Sequence, residues 1–149
     1  MTGIGAAASG ATVPMLSILY SSKASAEFDP SHLVDVLLRS RRNNRRLGLS
    51  GMLLYRAGIF LQVIEGPEPV LRERMAIIAS DPRHDGVDVL LEEPIEERMF
   101  PAWTMGYGEA ADDVPGMRTA FEDLAAGRDM TDSVPALRAL IRWFQVNAL

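Results

Sequence analysis

Apolar residues recur along this chain with two periodicities, one of two residues and one of three to four residues. The first periodicity predicts strands and the second predicts helices. Five strands are predicted, at residues 15–20, 49–56, 59–65, 87–91 and 100–107. Helices are predicted at about 31–46, 67–80 and 117–126, with a last helix after residue 133. The order is βαββαββ followed by two helices, which is typical of an α+β, ferredoxin-like fold. We expect the first two helices to cover one face of the sheet and the two C-terminal helices to cover the other.

A polar side chain interrupts the most apolar part of the chain. Residues 51–66 are predicted to form a hairpin that turns at 56–58, and Gln62 lies inside its second strand. Side chains alternate between faces, so Phe60, Gln62 and Ile64 share one face and the amide is expected to be buried. A buried amide without partners costs about 1–3 kcal/mol, so this face must offer donors and acceptors. Gln62 is either a structural glutamine bonded to a nearby backbone group or hydroxyl, or part of a binding site.

Charge and composition narrow the classes of function. The chain has 149 residues, a net charge of −5 and no cysteine. A negative chain lacks the broad basic footprint of a nucleic-acid-binding protein, so no direct nucleic-acid partner is expected. Five arginines between residues 39 and 46 are expected on the solvated face and end of the first helix. Without cysteine, and with two histidines far apart, no disulfide, thiolate nucleophile or metal site is expected.

The ends of the chain differ from its middle. Residues 1–13 are mostly small and are predicted to form a flexible tail. They contain neither a basic region nor a continuous apolar core, so neither a signal peptide nor a membrane span is expected and the predicted location is the cytoplasm. Residues 14–108 are predicted to form the compact domain, and residues 109–149 a helical extension.

Unusual side chains come from several predicted elements at once: Tyr20, Asn44, Gln62, Trp103 and Met105. A phenol, two amides, an indole and a thioether suit a flat, partly polar heteroaromatic ligand. No paired carboxylates, activated serine or metal cluster accompany them, and the chain has no glycine-rich phosphate loop, so hydrolysis is not indicated.

Each of these residues also has a purely structural explanation. Asn44 lies on the inward line of the first helix, but it could simply end that helix beside Gly48. Trp103 and Met105 are two residues apart in the last predicted strand, so they are expected on one face, where they could be ordinary core residues.

With these residues in place, the sequence resembles the BLUF family, the blue-light sensors that use flavin. The resemblance spans about residues 14–108, and the polar residues agree in type and spacing across several elements. The matching stretches are Tyr20-Ser21-Ser22, Ser40 with Asn43-Asn44, Gly48-Leu49-Ser50-Gly51, the run from Phe60 to Gly66, Asp81 with Arg83-His84, Arg98-Met99-Phe100 and Trp103-Thr104-Met105. Position 50 is a mild departure, because relatives often have threonine there.

The resemblance implies a flavin held without a covalent bond between the two helices on one sheet face. FAD is expected, with FMN and riboflavin as alternatives. The implied binding residues are Ser40, Asn43, Asn44, Gln62, Asp81, Arg83 and His84. Asn44 would bind the edge of the isoalloxazine ring, whereas Arg83 and His84 would lie near the ring or ribityl chain, or else belong only to the turn. Contact between the arginine cluster and cofactor phosphates also stays open.

The resemblance also implies a way of sensing light. Gln62 would lie between the flavin and Tyr20, and Tyr20 would be the nearest donor of an electron and a proton. Transfer and return would leave Gln62 in a new hydrogen-bonded arrangement, which moves the absorption to longer wavelength. Trp103 and Met105 would exchange inward position and relay the change to the C-terminal helices.

These features predict a photoreceptor and not an enzyme. Residues 109–149 are too few for a catalytic effector domain, so output is expected through a homo-oligomer, a dimer or larger, or through a separate effector protein. Two alternatives are open. A small ferredoxin-like phosphohydrolase would use an arginine and an asparagine and would purify colourless. A flavin-less interaction module would have little need for Tyr20, Asn44 and Gln62.

Overall fold

A computed structural model describes residues 14–26, 28–82, 84–109, 111 and 113–147 of the chain. The strands are β1 (Met15–Ala24), β2 (Ser50–Arg56), β3 (Ile59–Pro67), β4 (His84–Ile95) and β5 (Gly106–Glu109). The α-helices are α1 (Leu33–Leu47), α2 (Glu68–Ser80), α3 (Met117–Ala125) and α4 (Val134–Asn147). The tail predicted for residues 1–13 lies outside the described residues. The predicted order of elements is confirmed.

The strands form one mixed sheet in the order β4-β1-β3-β2-β5. All neighbours in it are antiparallel except β2 and β5, which are parallel. The β2–β3 hairpin turns at Ala57 and Gly58, whose φ angles are 49° and 83°. Two successive positive φ angles are typical of the turn that matches the twist of paired strands, so the hairpin closes where the sequence predicts it.

The two faces of the sheet carry separate apolar clusters. Tyr20 of β1 and Ile64 of β3 pack with Leu71 of α2 on one face, and α1 covers the adjacent part of that face. Side chains of the opposite parity, such as Leu61, pack on the other face with residues of α3 and α4 such as Phe144. The C-terminal helices therefore cover the second face, as expected.

Two strands are longer than the sequence predicts. β1 continues to Ala24, and β4 runs from His84 to Ile95 instead of 87–91. β4 lies at the edge of the sheet and pairs with β1 alone, so it tolerates Pro94 near its end. No helix in the described part of the chain combines the length and the apolar character needed to cross a bilayer.

The largest difference from the prediction lies at residues 100–107. The sequence predicts a strand there, but the structure has turns as far as Met105 and a strand only from Gly106. Trp103 N–H donates to the Phe100 carbonyl (3.1 Å), and Pro101 between them has no N–H to give to a ladder. The prediction that Trp103 and Met105 share a face is therefore wrong. Met105 packs on the α1 side of the sheet, whereas Trp103 packs against the cluster beneath α3 and α4.

Candidate functional site

A cleft opens between α1 and α2 above the face that carries Tyr20 and Gln62. Its floor comes from the sheet and from the segment before β5, namely Tyr20, Leu53, Phe60, Gln62, Ile64 and Met105. Its walls and mouth are Phe28, Val36, Ser40, Asn44, Arg74, Ile78 and Asp81. The space inside it that a water-sized molecule could occupy is about 50 Å³. The cleft is therefore narrow.

Tyr20 and Gln62 form a buried hydrogen-bonded pair at the floor. They lie directly opposite each other in the antiparallel ladder of β1 and β3, so their side chains leave the sheet on the same face. The Tyr20 hydroxyl donates to Gln62 Oε1. Only 1% of Tyr20 and 7% of Gln62 is exposed, so solvent does not compete for this bond. The register of two central strands thus fixes the phenol against the amide.

Tyr20 is protonated, and the Gln62 amide bonds to it and to Met105. Burial raises the pKa of Tyr20 far above its ordinary value, which the charge of Arg74 partly opposes and the charge of Asp81 reinforces. The phenol therefore keeps its proton, and it donates to Gln62 Oε1. Gln62 Nε2 points away from Tyr20 and donates to Met105 Sδ at 3.3 Å. The amide joins β1 to the segment before β5.

Two side chains of α1 hold the backbone of that same segment. Asn44 Nδ2 donates to the Thr104 carbonyl (2.6 Å), and Arg41 Nε donates to the Met105 carbonyl (2.8 Å). Asn44 is 2% exposed. Its backbone carbonyl accepts from the N–H of Gly48, which ends the helix with a φ of 72°. Both explanations of Asn44 therefore apply, because its backbone ends the helix while its side chain lies at the cleft.

The structure brings most of the predicted site residues together. The ones that line the cleft are Tyr20, Ser40, Asn44, Gln62, Asp81 and Met105. Asn43 is half-buried on α1 and is not among the lining residues, and Trp103 lies on the other side of the sheet. Arg83 lies outside the described residues, and only the backbone of His84 is described, paired with Ala24 at the start of β4.

Several residues at or beside the cleft have no individual role in the sequence prediction, and Arg41, Phe28 and Arg74 are the polar or aromatic ones among them. Arg41 lies three positions before Asn44 and four after Leu37, a helical spacing that could have separated it from the solvated arginines. Phe28 packs edge-on against Phe60, with ring centres 5.3 Å apart, and forms part of the cleft wall. Arg74 lies on α2, and no local pattern in the sequence marks it.

The comparisons with known proteins agree with this geometry. Residues 15–106 match the family described as BLUF, sensors of blue-light using FAD. The photoactivated adenylate cyclase subunit beta of Euglena gracilis is 33% identical over 112 residues, which cover 72% of this chain and 13% of that protein. Subunit alpha of the same organism is 36% identical over 90 residues, covering 60% of this chain and 9% of that protein. The chain thus spans only a small part of the curated relatives it matches.

Solved structures show the same likeness. BlrB, a BLUF protein in its dark state, superposes with a TM-score of 0.71 at 32% identity, covering 89% of this chain and 96% of that chain. A bacterial light-regulated adenylyl cyclase superposes with a TM-score of 0.64 at 28% identity, covering 84% of this chain and 36% of that chain. Because the family match covers more than half of the sequence, this chain belongs to the BLUF family of blue-light sensors.

Proposed function

We propose that the chain senses blue light through a flavin, in the form of FAD, bound without a covalent bond in the cleft between α1 and α2. The observation that carries this proposal is the buried pair of Tyr20 and Gln62 at the cleft floor. A protonated phenol bonded to an amide is a suitable donor of an electron and a proton beside a photoexcited ring. The description of the family, which names FAD, supports this form over FMN or riboflavin.

The side chains around the cleft fit such a ring in their chemistry. The amides of Asn44 and Gln62 and the hydroxyl of Ser40 match the carbonyl and N–H groups at a flavin edge. Apolar side chains such as Ile64 and Ile78 suit its flat faces. Since the free interior is only about 50 Å³, side chains of α1 and α2 have to move apart as a tricyclic ring enters.

Two residues would carry the photochemistry. A bound flavin supplies the absorption of blue light and, once excited, the power to take up an electron. Tyr20 would be the residue that gives an electron and its hydroxyl proton to the flavin and later recovers both. Gln62 lies between the phenol and Met105, so any change in the Tyr20 hydroxyl changes which partners its amide can keep. Gln62 would then be left in a new hydrogen-bonded arrangement, by rotation or by tautomerisation, which would shift the absorption to longer wavelength.

We propose that the chain acts as a sensor without a catalytic step of its own. In this proposal residues 14–108 are the sensory domain, and residues 109–149 are an extension that relays the signal to a second copy or to a separate effector protein. The Euglena relatives and the bacterial enzyme are named as light-regulated cyclases, and this chain matches only part of each. Asn43, Arg83 and His84 remain proposed flavin contacts.

An absorption spectrum before and after illumination tests the proposal. Purified protein should be yellow, and blue light should move its absorption reversibly to longer wavelength. Tyr20→Phe should keep the flavin and lose the normal shift, whereas Tyr55→Phe should keep both. Tyr55 is the matched control, because it packs against Phe60 at 4.9 Å between ring centres but does not line the cleft. A colourless sample would favour a phosphohydrolase or an interaction module instead.

A further inference from the structure

A carboxylate is fully buried on β3, the same strand that carries Gln62. Glu65 is 0% exposed, and its three-residue separation from Gln62 turns it to the opposite face of the sheet. Its Oε2 accepts hydrogen bonds from Ser50 Oγ (2.9 Å) and from the backbone N–H of Phe100 (2.8 Å). Its Oε1 accepts from the backbone N–H of Met99 (2.9 Å). Both oxygens of the Glu65 side chain therefore accept hydrogen bonds.

An arginine is connected to this carboxylate through the hydroxyl group of Ser50. Arg98 Nη1 donates to Ser50 Oγ at 2.9 Å, and Ser50 in turn donates to Glu65. Arg98 Nη2 donates to the carbonyl of Gly48, the residue that ends α1, at 2.6 Å. Ser50 thus bridges Arg98 and the Glu65 side chain, and the cluster joins the end of α1 to the start of β2 and to the start of the segment that follows β4.

That segment, residues 98–105, is here called the linking segment. Its first end is held by Glu65 through Met99 and Phe100. Its last end is held from the cleft, where Gln62 donates to Met105 Sδ and two side chains of α1 bind its backbone. Between the ends, the Phe100 and Trp103 rings stack with centres 5.4 Å apart, and the Trp103 carbonyl accepts from the N–H of Gly51 in β2 (3.0 Å). One strand therefore holds both ends of the segment, from opposite faces of the sheet.

We propose that Glu65 is a positioning residue that fixes the first end of the linking segment, so that a change of the Gln62–Met105 contact is passed to Trp103. The proposal rests on the proposed function. With the first end fixed, displacement of Met105 must be taken up inside the segment, where Trp103 lies. With that end loose, residues 98–102 could move together with Met105, and less of its displacement would change the contacts of the Trp103 ring. The bonds of Glu65 to this end also hold Met105 against Gln62, so they should speed the return of the illuminated protein to its dark state.

Glu65→Gln tests this role in the full-length, flavin-loaded protein. The amide keeps the shape but places an NH2 group against donors, so the anchor weakens. Glu93→Gln is the matched control, because it removes a carboxylate of β4 that pairs with Arg138 at the surface (2.9 Å). Both variants carry Trp143→Phe, so that Trp103 is the only tryptophan.

We expect Glu65→Gln to keep the light-induced red shift, to lose most of the light-induced change in Trp103 fluorescence, and to recover severalfold more slowly in the dark. Glu93→Gln should match the parent in all three. A purely structural role would lower stability and leave the fluorescence change and the recovery rate as in the control, which would overturn the proposal. A parent protein without a red shift would overturn the proposed function as well.

A second measurement needs no variant at position 65. Hydrogen exchange of the wild type in the light should stay slow at the amides of Met99 and Phe100, while protection around Trp103 decreases. An equal loss of protection at Met99 and Phe100 would overturn the anchor. Should Glu65→Gln fail to fold, Ser50→Ala removes one donor and the link to Arg98 and should show the same fluorescence loss to a smaller extent, whereas Ser50→Thr, which keeps the hydroxyl, should restore it.

Discussion

Phe144 is the side chain whose loss should most clearly test how α4 sits on the sheet. It is 4% exposed, and its ring lies over Gly108 of β5. A methyl group added at Gly108 would come within 2.6 Å of the Phe144 ring and of a Leu54 methyl, so the contact is close. Replacing a buried Phe by Ala costs about 3–5 kcal/mol, because the lost transfer energy adds to the cost of the cavity. Gly108 has no side chain to fill that cavity, so we expect the upper half of this range.

This magnitude is large compared with the stability of a single domain. Domains unfold with a free energy of about 5–15 kcal/mol, so Phe144→Ala should remove about a quarter of it or more. With a urea slope of about 2 kcal/mol per M, a loss of about 4 kcal/mol lowers the unfolding midpoint by about 2 M. The cleft lies on the opposite face, so the light-induced red shift should persist in the folded protein.

Urea unfolding followed by circular dichroism measures this loss. The control is Val146→Ala, two positions along the same helix, where the side chain is 71% exposed. An exposed substitution of this kind should change the free energy of unfolding by no more than about 0.5 kcal/mol. Equal midpoints for the two variants would refute the packing of α4 on the sheet.

Three further predictions follow from the same contacts. Burial raises the pKa of Tyr20, so the folded state holds this proton more tightly than the unfolded state. The resulting stabilisation is complete below about pH 10 and is lost as the pH rises further. Above about pH 10 the free energy of unfolding of Tyr20→Phe should therefore fall less steeply with pH than that of the wild type. Equal slopes of the two curves would contradict this. Gly106→Val should push the Trp103 ring off Phe100 and shift the Trp103 emission in a Trp143→Phe background, and an unchanged spectrum would argue against that contact. Deleting residues 116–149 should keep the red shift but uncover the apolar second face of the sheet, so the variant should aggregate or form a new assembly in size-exclusion chromatography. A stable, monodisperse monomer would contradict this prediction.

The alternation of side chains predicted the two faces of the sheet correctly. It put Ile18 with Tyr20 on one face of β1, and Phe60, Gln62 and Ile64 on one face of β3, where the structure also has them. It could not predict that Tyr20 lies directly opposite Gln62, because the register of β1 with β3 depends on pairing across a helix and a hairpin. The chemistry of the site was therefore predicted from the residues, and its geometry only from the fold.

The linking segment shows where local patterns fail. Its apolar and aromatic residues have the composition of a strand, but its backbone bonds to side chains that are distant in sequence, such as Glu65 and Asn44. Arg41 was misjudged for a related reason. One arginine of a basic cluster binds the Met105 carbonyl, and only the rotation of α1 against the segment decides which one.

The bonds of Gln62 differ in strength, and this difference gives its response a direction. Its Oε1 accepts from a buried phenol, whereas its Nε2 donates to a thioether sulfur, which is a weak acceptor. When the hydrogen bonding of the Tyr20 hydroxyl changes, breaking the bond from Gln62 to Met105 costs less free energy than breaking the bond from Tyr20. Tyr20 lies on β1, which pairs with β3 on one side and with β4 on the other, while Met105 belongs to a segment that is bonded to a neighbouring strand through the Gly51 N–H and the Trp103 carbonyl. A change that begins at Gln62 should therefore move the linking segment before it moves β1, and the sheet would act as the fixed frame against which Trp103 is displaced.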